Sequence, residues 1–276
     1  MRLHRFARLA GLVALLGLAA EPAWAGSRVY LSVGTSLSVG IQPNKAGNNR
    51  RTQAGYADQL YAALAQSMPD LQLVKLGCPG ETSVTMIAGG ICTYSLASQL
   101  QQAEKFLQDH GASVALVTID VGANDIEPCG GPSGIDQTCV AGAFANVATN
   151  LPTILGRLRA AAAPGVPIVG MNYYNPFLAA WFVDPSLAQT SATGLLPFNS
   201  LLQGLYGGFS VPVADVAGTF FSSDFTLVPG AGIPHNVLVV CQWTWMCAAP
   251  PVGPNIHANG EGYGAIAGAF LDTLGP

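Results

Sequence analysis

Charge is scarce in this 276-residue chain: 9% of its residues are Asp, Glu, Lys or Arg. Basic residues are the rarer sign, 11 against 15 acidic ones. Taking away Arg2, Arg5, Arg8 and Glu21, which fall in a leader, leaves 8 against 14 and a net charge of −6. A nucleic-acid partner usually requires a basic patch, so that class is set aside. Long apolar runs are missing beyond the leader. Residues 160–171 are broken by Pro164, Gly165 and Pro167, so no membrane span is expected. There is no GxSxG, which excludes a nucleophile elbow of the α/β-hydrolase kind. There is also no CxxC pair and no His at ligand spacing, which argues against a zinc site.

What is present begins with that leader. Arg2, His4, Arg5 and Arg8 form a basic start, residues 9–20 a short apolar run, and Ala23-Trp24-Ala25 a small-x-small cleavage site. This order predicts a signal peptide over residues 1–25 and a secreted mature chain from Gly26, extracellular or periplasmic. With 50% hydrophobic residues the remainder can bury one large core, so residues 26–276 are expected to form a single domain. Six cysteines in an exported chain suggest three disulfides. Sequence alone does not choose among the pairings, but spacing favours neighbours: Cys78–Cys92, Cys129–Cys139 and Cys241–Cys247.

Five short apolar runs, each followed by a loop, read as buried parallel strands: residues 29–33, 71–76, 114–119, 166–171 and 211–216. Helical periodicity fills the gaps. Tyr56, Leu60 and Leu64 form one stripe; Phe144, Val147, Leu151, Ile154 and Leu158 a second; Tyr263, Ile266, Phe270 and Leu274 a third. Pro152 inside the second stripe predicts a kink or a later helix start. Strands alternating with helices imply a parallel sheet covered on both faces, with ligands outside the carboxyl ends of the strands.

Unusual sequences fall at those ends. Ser36, in "GTSLSVG" after the first run, is a helix-capping serine or a nucleophile held on a tight turn. Gly80, in "GCPGETS" after the second, is a turn glycine or a backbone donor that a ligand can approach closely. Asn124, in "VGAND" after the third, offers uncharged donors suited to an oxyanion, while Asp125 reads as structural. His257, in "NIHAN", precedes the last helix, with Asn259 as its N-cap, and suits a general base. His110 belongs to a helix end, and His235 has no partner visible in the sequence.

With these four blocks in this order the chain resembles the SGNH hydrolases, also called GDSL lipases and esterases. The resemblance implies a flavodoxin-like three-layer α/β/α sandwich with a five-stranded parallel sheet. It also implies hydrolysis of carboxylic esters without a metal cofactor. Carried over by position, Ser36 is the nucleophile and His257 the general base and acid. The oxyanion hole then consists of the Ser36 and Gly80 backbone N–H groups and the Asn124 side chain. The expected molecule is a monomer acting on an ester substrate, lipid included.

Two departures stand out. The family's usual Asp after the first Gly is Thr35 here, and its usual Asp three residues before the His is Pro254. A backbone carbonyl in residues 253–255, Pro254 foremost, is the expected acceptor for the second His257 nitrogen. The Asn255 side chain and the distant Asp224 are the alternatives. The aromatics Tyr173, Tyr174, Phe177, Trp181 and Phe182, with Leu178, form an acyl-chain wall or a core-packing helix, and Trp243 and Trp245 carry the same ambiguity. A medium- or long-acyl lipase or esterase is the leading reading. A short-acyl polysaccharide deacetylase of the same fold, or a non-catalytic glycan- or lipid-binding protein, are the others.

Overall fold

The computed structural model describes residues 26–131 and 134–275, so the leader expected at 1–25 lies outside the described residues. All five expected strands are present: β1 (Arg28–Val33), β2 (Leu71–Lys75), β3 (Val114–Ile119), β4 (Ile168–Met171) and β5 (Val213–Ala214). They form one parallel sheet in the order β2-β1-β3-β4-β5. β1 and β4 are buried almost throughout, as strands covered on both faces require.

Three strands are shorter than the apolar runs that announced them, β2 by the single residue Leu76. Pro167 has no N–H for the ladder, and its carbonyl alone joins, accepting from Val117, so β4 starts at Ile168. β5 stops at Ala214 because the Asp215 side chain caps the next helix by accepting from Gly218 N–H.

The helices are α1 (Tyr56–Leu64), α2 (Ser83–Ala88), α3 (Gln99–His110), α4 (Ala123–Ile126), α5 (Gln137–Ala161), α6 (Pro185–Gly207), α7 (Val216–Thr219), α8 (His235–Trp243) and α9 (Gly260–Leu274). α9 packs with α1, α7 and α8, while α5 packs with α2, α3, α4 and α6, giving a layer on each side of the sheet. Together these make the α/β/α sandwich of the SGNH hydrolases.

Pro152 does not mark a helix start. α5 is capped at Asp136, whose side chain accepts from Thr138 and Cys139 N–H, and runs through the proline. Val147, Leu151, Ile154, Leu155 and Leu158 are buried on both sides of Pro152, and that burial outweighs one lost hydrogen bond. By length and composition α5 could cross a membrane, but this apolar stripe is packed into the main core.

All three neighbour disulfides are formed: Cys78–Cys92, Cys129–Cys139 and Cys241–Cys247. Asn259 caps α9, accepting from Glu261 and Gly262 N–H.

Candidate active site

The turn after β1 is held by side chains from two other elements. Gln99, the first residue of α3, accepts from Gly34 N–H at 2.6 Å and donates to the Gly34 carbonyl at 2.9 Å. Asp120, just past β3, accepts from Thr35 N–H at 3.1 Å and from the Thr35 hydroxyl at 2.6 Å. Gly34 has φ 147°, and a Cβ there would sit 2.0 Å from Asp120 Oδ1, so the position requires glycine. Ser36 follows, buried, with neither its N–H nor its hydroxyl hydrogen-bonded among the described residues.

Gly80 is exposed with φ 81°, and its N–H makes no hydrogen bond among the described residues. The neighbouring Glu81 carbonyl accepts from Asn124 Nδ2 at 2.9 Å, tying the Asn124 amide to the Gly80 loop and leaving its second N–H. Asp125 is structural, though not through its own turn. Its carboxylate accepts from Ser83 N–H at 2.8 Å and the Ser83 hydroxyl at 2.7 Å, holding the start of α2.

His257 is buried, and desolvation pushes its pKa down to about 4, so the ring is neutral at neutral pH. Its Nδ1 lies 2.7 Å from Asn255 Oδ1, which also accepts from His257 N–H at 3.1 Å. The acceptor is therefore the Asn255 side chain and not the backbone carbonyl expected around Pro254. An Asx turn explains this, because it carries the amide oxygen two residues forward, under the imidazole. The His257 N–H can only donate, which fixes the oxygen end of the Asn255 amide towards the ring, and Asn255 Nδ2 donates to Asn49 Oδ1 at 2.8 Å.

Asp224 is engaged elsewhere: its Oδ2 is 2.9 Å from Nδ1 of His235, the partner that the sequence did not reveal. His110 occupies the last turn of α3, as expected.

The His257 loop is held from two sides. Trp245 N–H donates to the His257 carbonyl at 3.1 Å, and the Trp245 carbonyl accepts from Asn255 N–H at 3.1 Å. The Cys241–Cys247 bridge closes over this segment. From the loop after β4, the Tyr174 hydroxyl donates to the Ile256 carbonyl at 2.7 Å.

Ser36, Asn124 and His257 all line one cleft of about 630 Å³; Gly80 lies outside its lining. No hydrogen bond joins the Ser36 hydroxyl to His257 among the described residues, and such contacts often tighten only with substrate bound. Ile126, Val140, Phe177, Leu187, Leu195 and Phe198 make the lining of the cleft largely apolar. The ambiguous aromatics divide. Tyr173, Tyr174 and Phe177 face the cleft, Leu178 and Trp181 pack in a small second core, and Phe182 is exposed. Trp243 packs edge-on against Phe220.

No cluster of three or more His, Cys, Asp or Glu side chains converges among the described residues. Two residues that shape the site went unread in the sequence. Asp120 had a signal, a carboxylate closing an otherwise apolar strand. Gln99 had none, and Tyr174, read as a wall or core aromatic, gave no sign that its hydroxyl would hold the His257 loop.

Fold and site together define an SGNH-type α/β hydrolase. The profile of the GDSL-like lipase/acylhydrolase family matches residues 32–265, and the chain belongs to that family of carboxylic ester hydrolases. The structure is similar to that of an extracellular lipase from Streptomyces rimosus. The TM-score is 0.58 at 19% identity, over 90% of this chain and 98% of that one. It is similar also to phospholipase A1 from Streptomyces albidoflavus NA297, with a TM-score of 0.58 at 18% identity over 90% and 99% of the two chains. At these identities the likeness is one of fold. A comparison with curated proteins returns no match.

Proposed function

We propose that this protein is a secreted serine esterase or lipase that cleaves carboxylic esters of medium or long acyl chains through an acyl-enzyme on Ser36. The observation that carries this reading is the shared cleft. Ser36, Asn124 and His257 all line it, and the rest of its lining is apolar enough to hold an acyl chain. The three disulfides suit an oxidising compartment, in keeping with the leader.

Asn255 Oδ1 accepts the Nδ1 proton, leaving Nε2 of the neutral imidazole with its lone pair. Nε2 takes the Ser36 proton as Oγ attacks the ester carbonyl carbon. Negative charge develops on the carbonyl oxygen, among the N–H groups of Ser36 and Gly80 and the second N–H of Asn124. The imidazolium then returns its proton to the departing alkoxide. A water, deprotonated by His257, releases the acid and restores Ser36.

Purified mature protein assayed on p-nitrophenyl esters of increasing chain length tests both parts. Turnover should peak at medium or long chains, and Ser36→Ala should abolish it while a fluorophosphonate probe labels only the wild type. A folded Ser36→Ala that keeps near wild-type turnover would demand another nucleophile. A wild type that neither turns over nor labels would favour a binding protein, and a peak at acetyl would favour a deacetylase.

A further inference from the structure

We propose that Asp120 is a positioning residue for the oxyanion hole: its carboxylate clamps Thr35 so that the Ser36 N–H is the first free donor of the turn. The inference rests on the reading of Ser36 as nucleophile. Asp120 is fully buried, and no Lys or Arg pairs with it among the described residues. A buried carboxylate without a cation is costly unless hydrogen bonds satisfy it, so what it binds indicates why it is there. Oδ2 takes both donors of Thr35, and Oδ1 takes the Tyr56 hydroxyl at 2.8 Å.

The consequence follows from consecutive backbone donors. Gly34 N–H is spent on Gln99 and Thr35 N–H on Asp120, while Ser36 N–H is left unpaired. The same network reaches the other two donors. Gln99 Nε2 lies 2.9 Å from Glu81 Oε2, and the Glu81 carbonyl, one residue beyond Gly80, holds Asn124. One chain, Asp120–Thr35–Gly34–Gln99–Glu81–Asn124, buried up to the half-buried Asn124, therefore fixes the separation between the oxyanion donors. Such donors are effective only when already in place, and a misplacement of about 1 Å can cost about a hundredfold in rate.

The test compares Asp120→Ala with Asp120→Asn on a soluble ester, with folding checked by circular dichroism. Asp120→Ala should lower kcat about a hundredfold with KM changed less than about threefold, while fluorophosphonate still labels every molecule, only more slowly. Asp120→Asn keeps an oxygen for Thr35 and should recover at least about tenfold of that loss. A folded Asp120→Ala with kcat within about threefold of wild type would overturn the proposal. So would an Asp120→Asn no better than Asp120→Ala, or a loss appearing wholly in KM.

Should Asp120→Ala not fold, Thr35→Val decides. It removes one arm of the clamp and should lower kcat about tenfold at constant KM, and Thr35→Ser should recover that loss. An unchanged kcat in Thr35→Val would overturn the proposal equally. Ser36→Ala runs alongside: retained activity there refutes the nucleophile, whatever Asp120 does.

Discussion

A neutral amide, not a carboxylate, holds the imidazole of His257, and in the proposed mechanism this sets its strength as a base. Asn255 Oδ1 fixes the tautomer, but it lends no negative charge to the imidazolium, and burial opposes that charge. The acid limb of kcat/KM should therefore fall near pH 4, well below the ordinary range of histidine, because activity needs the neutral ring and is lost as pH drops through its pKa. Asn255→Asp should move that limb upward by placing a charge beside Nδ1, and Asn255→Ala should lower kcat by about ten- to a hundredfold as the tautomer is released. Profiles of kcat/KM on a soluble ester from about pH 3.5 to 8 decide this. A wild-type midpoint near 6.5, or an Asn255→Asp limb that stays in place, would count against it. Asn124 donates one amide N–H to the Glu81 carbonyl, and the proposed mechanism gives the other to the oxyanion. Asn124→Ala should cost about a hundred- to a thousandfold in kcat, but only about 1 kcal/mol of stability, read from kinetics and denaturant melts of one preparation.

At the scale of elements, the strands were legible because parallel strands buried on both faces read as unbroken apolar runs. Their ends were not. Pro167 and the capping side chain of Asp215 trimmed β4 and β5, and α5 overrode Pro152 through burial that no local rule sees. Ser36, Asn124 and His257 could be named because each lies in a short block of distinctive composition, and the structure brings them to one cleft. What holds them was hidden. Gln99 lies 65 residues from Gly34 and Asp120 lies 85 from Thr35, and nothing local records either contact. The Cys241–Cys247 bridge is the element that the His257 loop leans on. Its segment pairs with that loop through Trp245 and accepts Asn259 N–H at Trp243. Replacing both cysteines with serine should cost about 2 kcal/mol and lower kcat more than it raises KM. A denaturant midpoint and a kcat that both match wild type would show that the loop holds its place without the bridge.

For the whole molecule, two buried titratable groups, Asp120 and His257, pull stability in opposite directions. Burial raises the Asp120 pKa to about 7, against the Thr35 and Tyr56 hydrogen bonds that favour its charged form, and lowers that of His257 to about 4. The folded state thus holds a proton on Asp120 that the unfolded chain has lost, and lacks one on His257 that the unfolded chain has gained. A raised carboxylate contributes stability that is full below about pH 4 and lost as pH rises to about 7. A depressed imidazole costs nothing above about pH 6.5 and destabilises as pH falls towards about 4. Across the shared window, about pH 4 to 6.5, the two slopes oppose each other, so the pair leaves wild-type stability nearly flat there. Asp120→Asn removes one of the two. Its stability should then fall on acidification relative to wild type, by on the order of 1 kcal/mol per pH unit across that window. Exposed carboxylates such as Asp70 and Asp224 titrate alike in both proteins and drop out of the difference. Urea melts of both proteins at about pH 4.5, 5.5 and 6.5 provide that difference directly. A constant gap between the two curves would mean that Asp120 is ionised in the fold at all three values, and the cancellation would then be absent.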